Sequence, residues 1–318
     1  MSRIVVALGG NALTRAGEAG TWEEARAHMR EAVRALARIV AAGHDLVLTH
    51  GNGPQVGALL LQQEARQREV PPLPLDVLGA MTQGWIGYLI LTEFSPALAR
   101  LHHPRELIAT VTRVEVSPRD PAFRRPTKPV GRYYDENEAL LLRKRHGWVM
   151  AHDVARGGWR RLVPSPEPLR IVEGPVIRDL LESARSPRAI PVVAGGGGIP
   201  VRRGPGGAYE GVEAVIDKDR TASLLASTVG AETLAIVTDV NGASIHFHTP
   251  REHRLGHVSA SELEGFLRAG EFGEGSMAPK VEAALRFVGH GGRRAIITDA
   301  YSLGAALEGT SGTIVERN

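Results

Sequence analysis

Two aspartates that enclose a lysine are the residues best suited to chemistry. They are Asp217, Lys218 and Asp219 in "VEAVIDKDRT". A lysine ammonium is a compact charge on a flexible stem, and it suits a transferring phosphoryl group whose negative charge is spread over several oxygens. One carboxylate can hold that ammonium while the other faces a magnesium–nucleotide complex. An ordinary helix start, with Asp217 as N-cap and Asp219 as a first-turn acid, fits the same pattern.

Lysine is scarce in this chain, and its scarcity makes each lysine informative. Only four of the 38 lysine and arginine residues are lysine: Lys128, Lys144, Lys218 and Lys280. Lys144 lies in the polar run "RKRH", where a solvated surface role is the simplest interpretation. The other three have proline, glycine or aspartate close by. We therefore predict that Lys128, Lys218 and Lys280 act on an anion.

Three glycine-rich segments follow predicted strands, and each is expected to lead into a helix. They are "LGGNAL" (8–13), "THGNGPQVG" (49–57) and "AGGGGIPV" (194–201). Glycine lets backbone N–H groups approach an anion, and ligands of open α/β sheets bind at the carboxyl ends of the strands. A tight turn explains one such segment equally well. Three at strand ends favour a phosphate or small-anion site.

Other familiar signatures are missing from the sequence. There is no Gly-Lys-Ser/Thr of a P-loop, no G-x-G-x-x-G opening a βαβ unit and no H-E-x-x-H. The 12 histidines show no metal-binding spacing, and the absence of cysteine excludes disulfides, thiolate nucleophiles and cysteine-based zinc sites.

The elements that must position these residues alternate between strand and helix. Thr21 and Glu24 have capping-box spacing at the start of a helix that is predicted to end at Gly43. A second helix is predicted near Pro54 and a long apolar one from about Asp76. The predicted strands are 3–8, 45–50, 106–112, 189–194, 233–238 and 294–298. This alternation predicts an α/β fold with a mostly parallel sheet covered on both faces.

One segment interrupts the alternation. Seven of the 20 prolines lie between residues 115 and 170, where long apolar runs are few. We predict an inserted flap or small subdomain there.

Composition narrows the class of protein. The 318 residues are 43% hydrophobic and 23% charged, which is typical of folded globular proteins. The formal charge of +3 comes from scattered basic residues, so no nucleic-acid partner is expected. The stretch "GWIGYLILTEF" falls short of the ~20 residues of a membrane span, and the first residues read as a strand and not a signal peptide. We expect a soluble cytoplasmic protein without a membrane partner.

The chain resembles the carbamate kinases, a branch of the amino-acid kinase superfamily, over nearly its whole length. The resemblance rests on blocks in the family's order and spacing: "VVALGGNAL", "HGNGPQVG", "LLLQQ", "AMTQGWIGY", "PTKPVG", "GWRRLVPSP", "GGGGIPV", "GVEAVIDKD" and "GSMAPKVEAA". It implies a three-layer α/β/α open sandwich with a mostly parallel central sheet and a small protruding subdomain. It also implies a homodimer that catalyses ATP + carbamate = ADP + carbamoyl phosphate, in arginine and carbamoyl phosphate metabolism.

The resemblance further implies a division of the chain. Residues 1–318 would be one amino-acid kinase domain, with a carbamate-binding lobe over about 1–190 and a nucleotide-binding lobe over about 190–318. The lid subdomain would span about 115–170, and the dimer would form through the apolar helix at 76–103.

Roles for single residues also follow from the resemblance. The lysines Lys128, Lys218 and Lys280 would be catalytic, with Asp219 orienting them. The residues expected to bind carbamate are Gly10, Asn11, Gly51, Asn52 and Gly53. The residues expected near ATP are Gly9, Gly10, Asp217, Lys218, Asp239, Met277 and Lys280; the alternative for Asp217 is a helix cap alone. Mg²⁺ would be carried by the nucleotide phosphates and need no protein ligand set.

Two alternatives remain at this stage. Another acid kinase of the superfamily, of the acetylglutamate or uridylate type, is disfavoured because "ALGG" lacks a lysine just before the first Gly-Gly. A non-catalytic ligand-binding module on the same fold is disfavoured because Lys218 and Lys280 are both present.

Overall fold

A computed structural model describes residues 2–10, 13–14, 17–154, 157–183, 188–273 and 277–317. Within these ranges the chain forms nine α-helices. They are α1 (Trp22–Ala41), α2 (Gly53–Arg66), α3 (Leu75–Arg100), α4 (Glu136–His146), α5 (Gly174–Glu182), α6 (Lys218–Thr228), α7 (Ala260–Arg268), α8 (Ala278–Gly289) and α9 (Leu303–Leu307). None of these helices is both long enough and apolar enough to cross a membrane.

The strands of the described ranges form one large sheet and three small ones. In chain order they are β1 (Arg3–Leu8), β2 (Asp45–His50), β3 (Leu107–Ala109), β4 (Arg113–Val116), β5 (Lys128–Tyr134), β6 (Val149–Asp153), β7 (Gly158–Val163), β8 (Pro168–Ile171), β9 (Ile190–Val192), β10 (Ile199–Arg203), β11 (Tyr209–Gly211), β12 (Thr233–Thr238), β13 (Ser244–Ile245), β14 (His253–Arg254), β15 (His257–Ser259), β16 (Arg294–Asp299) and β17 (Thr313–Glu316). The large sheet has the order β15-β17-β16-β12-β1-β2-β9-β3, and only the β16–β17 pair in it is antiparallel.

The large sheet is covered by helices on both faces. Successive side chains of the central strand β1 point to opposite faces. Val5 and Ala7 pack into one apolar cluster with residues of α6 and α8. Ile4, Val6 and Leu8 pack into another with residues of α1 and α3. The predicted mostly parallel sheet with helical layers on both sides is confirmed.

The ends of the first helix also match their predicted signals. Thr21 caps α1 and forms the capping box with Glu24, and Gly43 follows the helix with a φ of 87°. The predicted strand over 106–112 is shorter than expected, because β3 ends at Ala109 and the chain then enters a different sheet as β4.

The proline-rich segment contributes to two small sheets. Strands β4 and β8 join β10 and β11, whereas β5, β7 and β6 form a separate antiparallel sheet against which α4 packs. The separate sheet is tied to the main body through Glu64 of α2. Its carboxylate accepts a hydrogen bond from the Tyr134 hydroxyl and lies 3.3 Å from the Arg132 Nε, and both partners belong to β5.

Candidate active site

Neighbouring parallel strands bring two of the predicted glycine loops together. Strands β1 and β2 pair in parallel up to Leu8 and His50, so the segments after them leave the same sheet edge. The Gly51 N–H donates to the Leu8 carbonyl at 2.9 Å. A Cβ on Gly51 would lie 3.0 Å from the Gly10 nitrogen, and one on Gly9 would lie 2.8 Å from the Val237 carbonyl oxygen. The two loops touch because Gly51 lacks a side chain, and Gly9 lies against β12 for the same reason.

Asp219 joins two of the predicted catalytic lysines. It lies in the first turn of α6, is only 4% exposed, and its two carboxylate oxygens face different ammonium groups. Oδ1 lies 2.5 Å from the Lys218 Nζ and Oδ2 lies 3.5 Å from the Lys280 Nζ. One carboxylate therefore holds cations from the starts of both α6 and α8.

Asp217 caps a helix, which is one of the roles that the sequence suggested, and it also pairs with a lysine. Its Oδ1 accepts from the backbone N–H groups of Asp219 and Arg220 and caps α6. Its Oδ2 accepts a 2.8 Å hydrogen bond from the Lys128 Nζ. Burial alone would raise the pKa of the Asp217 carboxyl, but the Lys128 ammonium, the Arg220 N–H and nearby Lys218 together outweigh burial and lower this pKa to about 2. The carboxylate thus stays charged and draws Lys128 of β5 towards Lys218.

The four-glycine run, residues 195–198, packs against several parts of the site. A Cβ on any of these glycines would approach a neighbouring atom within 2.3 Å. The neighbours are His50 for Gly195, Asn52 for Gly196, the Ile216 carbonyl for Gly197 and Val114 for Gly198. The prediction that this segment leads into a helix is wrong. A short 3-10 turn over Gly195–Gly197 leads into β10, which pairs with β4 and β11.

Two buried polar residues in the middle of α3 support the loops. Gln83 is 3% exposed; its Nε2 donates to the Gly195 carbonyl at 2.8 Å and its Oε1 accepts from the Thr112 N–H at 2.8 Å. Thr82 is fully buried and accepts from the Asn52 side-chain amide at 2.8 Å. Sequence reasoning did not single out either residue, although a Thr-Gln pair inside an apolar helix is a usable signal, because buried polar groups need partners.

His50 was also missed from the sequence. It ends β2, is 2% exposed and its Nδ1 lies 2.9 Å from the Gly51 carbonyl. Burial lowers the pKa of its imidazole to about 4, and nearby Lys218 adds to this effect. His50 is therefore neutral at physiological pH, so it adds no cation to the site.

A cavity of about 630 Å³ is lined by six of the thirteen predicted site residues and by Gly196. Its described lining includes Gly10, Gly51, Asn52, Gly53, Lys128, Gly196 and Lys218. Lys280 is connected to it through Asp219. Asp239 and Met277 do not line it: Asp239 is exposed after β12, and Met277 precedes α8. Asn11 lies outside the described residues.

Comparison with known proteins decides the family. The model of the amino acid kinase family matches residues 2–299. A carbamate kinase of Pyrococcus horikoshii is 47% identical, over 98% of this chain and 98% of that one. The chain belongs to the carbamate kinases of the amino acid kinase family. A further carbamate kinase, from Thermococcus kodakarensis, is 47% identical over the full length of both chains.

Solved structures agree with the assignment to the carbamate kinases. Carbamate kinase from Giardia lamblia bound to AMP-PNP superposes with a TM-score of 0.92 at 41% identity, covering 100% of this chain and 99% of that chain. The resemblance inferred from the sequence blocks and the predicted amino-acid kinase fold are both confirmed.

Proposed function

We propose that this protein is a carbamate kinase that transfers a phosphoryl group reversibly between ATP and carbamate. The observation that carries the proposal is the convergence of Lys128, Lys218 and Lys280, through two aspartates, beside the cavity bounded by the glycine loops. Membership of the carbamate kinases supports carbamate and carbamoyl phosphate as the substrate pair.

The lysines would stabilise the transferring phosphoryl group. Negative charge spreads over its equatorial oxygens in the transition state, and fixed cations aimed at them lower the barrier without reorganising. Asp219 fixes the ammonium groups of Lys218 and Lys280, and Asp217 fixes that of Lys128. Carbamate already carries its negative charge, so the attacking oxygen needs no general base. Catalysis is then mainly positioning and electrostatics.

The glycine loops would divide the substrates between them. We assign Gly51, Asn52 and Gly53 to carbamate, with Gly10 and Asn11, since all but Asn11 belong to the described lining of the cavity. We assign Gly9 and Gly10 to the ATP phosphates, because backbone N–H groups in a glycine turn are suited to anions.

The nucleotide would extend from the lysines into the C-terminal half of the chain. We place it in a lobe of about residues 190–318, with Asp217, Asp239 and Met277 nearby, opposite a carbamate lobe of about 1–190 with its lid over about 115–170. The AMP-PNP in the Giardia lamblia structure supports a nucleotide site in this fold.

Magnesium would enter with the nucleotide. In the described ranges, no group of three or more His, Asp or Glu side chains is placed to hold a metal ion. A magnesium ion that is bound to a nucleotide has phosphate oxygens and water as its main ligands. When bound, magnesium would neutralise charge on the phosphates, and Asp217 and Asp219 are the acidic side chains nearest the catalytic lysines.

We also propose a homodimer that uses the exposed face of α1 and α3. Trp22 stacks on Tyr88 with ring centroids 6.2 Å apart, and Trp85 lies 6.3 Å from Trp22. Tyr88 is 61% exposed and Met81 of the same helix is 42% exposed. Aromatic residues and Met are enriched at interfaces.

Because the substrates are ATP and carbamoyl phosphate, we expect the enzyme to act in the cytoplasm, in arginine metabolism.

The direct test is ATP formation by the purified protein from ADP and carbamoyl phosphate. We expect ATP to form with Mg²⁺ and both substrates and not when either substrate is omitted. In the opposite direction, carbamate, acetylglutamate and UMP are compared as acceptors with ATP. Phosphorylation of acetylglutamate or UMP in preference to carbamate would contradict the proposal, and so would ligand binding without any turnover.

Replacing Lys128 by Ala is expected to reduce kcat/KM for carbamoyl phosphate about a hundredfold, because one positioned donor to the phosphoryl oxygens is lost. Lys144→Ala is the matched control, since Lys144 is exposed near the end of α4 in the same small subdomain. The control is expected to change kcat/KM less than about twofold, as is usual for surface substitutions. Equal effects of the two substitutions would show that Lys128 has no part in transfer.

A further inference from the structure

Asn52 is an N-cap residue whose side chain does not cap its helix. It directly precedes α2, but its side chain makes no hydrogen bond to the backbone of the first turn. Asparagine at this position ordinarily accepts such a bond. The amide of Asn52 instead points to Thr82 of α3 and lines the cavity between Gly51 and Gly53. Its orientation is therefore set by a different element.

The hydroxyl of Thr82 determines which end of the Asn52 amide faces it. A hydroxyl has one proton to donate. Thr82 donates this proton to the Gly79 carbonyl at 2.7 Å. Towards Asn52 the Thr82 oxygen can then only accept, so the atom 2.8 Å from it must be the donor Nδ2. A flipped amide would place its oxygen, an acceptor, against the accepting oxygen of the fully buried Thr82.

The opposite side of the amide is closed by Gly196. A Cβ on Gly196 would lie 2.1 Å from Nδ2 and 2.6 Å from Oδ1 of Asn52, so the backbone packs flat against the amide. No described residue donates a hydrogen bond to Asn52 Oδ1. The result is an oriented carbonyl acceptor in the part of the cavity assigned to the carbamoyl group.

We propose that Thr82 is a positioning residue that presents Asn52 Oδ1 to the amino group of the substrate and so sets its specificity. This inference rests on the proposed carbamate kinase activity. Carbamoyl phosphate carries –NH₂ on its carbonyl carbon, where acetyl phosphate carries –CH₃ of similar size. The amino group donates to Oδ1, whereas the methyl group leaves that acceptor unpaired. Sites built to hydrogen-bond a substrate N–H reject analogues that lack it.

The test compares carbamoyl phosphate with acetyl phosphate as phosphoryl donors to ADP. The ratio of their kcat/KM values for ATP formation measures specificity for the amino group. Thr82→Val keeps the shape of the side chain and removes its hydroxyl, so the Asn52 amide is free to turn. We expect the ratio to fall at least about tenfold, since the loss of one hydrogen bond is involved. The KM for ADP is expected to stay within about twofold of wild type.

Thr228→Val is the matched control. Thr228 also bonds its own helix, donating to the Leu224 carbonyl at 2.7 Å, but it lies at the far end of α6. This variant is expected to keep the wild-type ratio. Thr82→Ser retains the hydroxyl and is also expected to keep it. If Thr82→Val does not fold, Thr82→Ala carries the same expectation.

An unchanged ratio in a folded Thr82→Val or Thr82→Ala variant would overturn the role of Thr82, and so would an equal fall in Thr228→Val. In these cases the wild-type protein still makes ATP from carbamoyl phosphate, and the proposed activity stands. Failure of the wild-type protein to use carbamoyl phosphate would overturn both proposals together.

Discussion

Lys218→Ala is expected to lower kcat about a thousandfold while the protein remains folded. The Lys218 ammonium lies beside the cavity, where Asp219 holds it, and in the proposed function it contacts the phosphoryl oxygens. Loss of one preorganised donor at a developing charge costs about a hundred- to a thousandfold in rate, and a full positive charge places the loss at the upper end. Turnover is followed as ATP formed from ADP and carbamoyl phosphate.

The fold should tolerate this substitution. Asp219 is 4% exposed, but it retains Lys280 as a partner 3.5 Å away when Lys218 is removed. A thermal melt checks that the variant is folded, and Lys144→Ala is the lysine control on an exposed helix face. Near-normal turnover of a folded Lys218→Ala protein would contradict the assignment of Lys218.

The second large effect is expected from Gly196→Ala. Gly196 has a φ of +67°, and its new Cβ would lie 2.1 Å from the Asn52 Nδ2. Left-handed backbone costs a non-glycine residue about 1–2 kcal/mol, and the clash adds to this. We expect Asn52 to be displaced and kcat/KM for carbamoyl phosphate to fall about a hundredfold or more. Steady-state kinetics measure the loss of activity, and a denaturant titration measures the loss of unfolding free energy.

Gly206→Ala separates the backbone cost from the clash. Gly206 has a φ of +75°, but a Cβ there meets nothing within 4 Å. The control should therefore lose about 1 kcal/mol of unfolding free energy and keep its kinetics. If both variants lost activity equally, contact with Asn52 would not be the reason.

The sequence predicted best those features whose cause lies within a few residues. The capping box of Thr21 and Glu24 depends on residues of one turn, and the structure contains it. The alternation of strand and helix segments along the chain predicted a sheet covered on both faces, and the two faces of β1 do pack into separate apolar clusters. The prediction that Lys218 acts on an anion is also local, because it rests on the rarity of lysine and on the two flanking carboxylates.

Features that depend on distant parts of the chain could not be predicted. The four glycines were interpreted as an anion loop that enters a helix, but their immediate neighbours include His50, Val114 and the Ile216 carbonyl. Those contacts exist only after β2, β4 and the start of α6 have assembled. The hydrogen bond from Asn52 to Thr82 has the same origin, because it joins a loop to the middle of a separate helix.

The attachment of strand β5 has a consequence for exchanging parts between related enzymes. At its start Lys128 is paired with Asp217, and near its end Arg132 and Tyr134 are bound to Glu64. The two anchoring carboxylates lie far apart in the chain and outside the segment itself. The small sheet of β5, β7 and β6 therefore cannot be transplanted alone. A functional chimera has to take Glu64 and Asp217 from the same parent as this sheet.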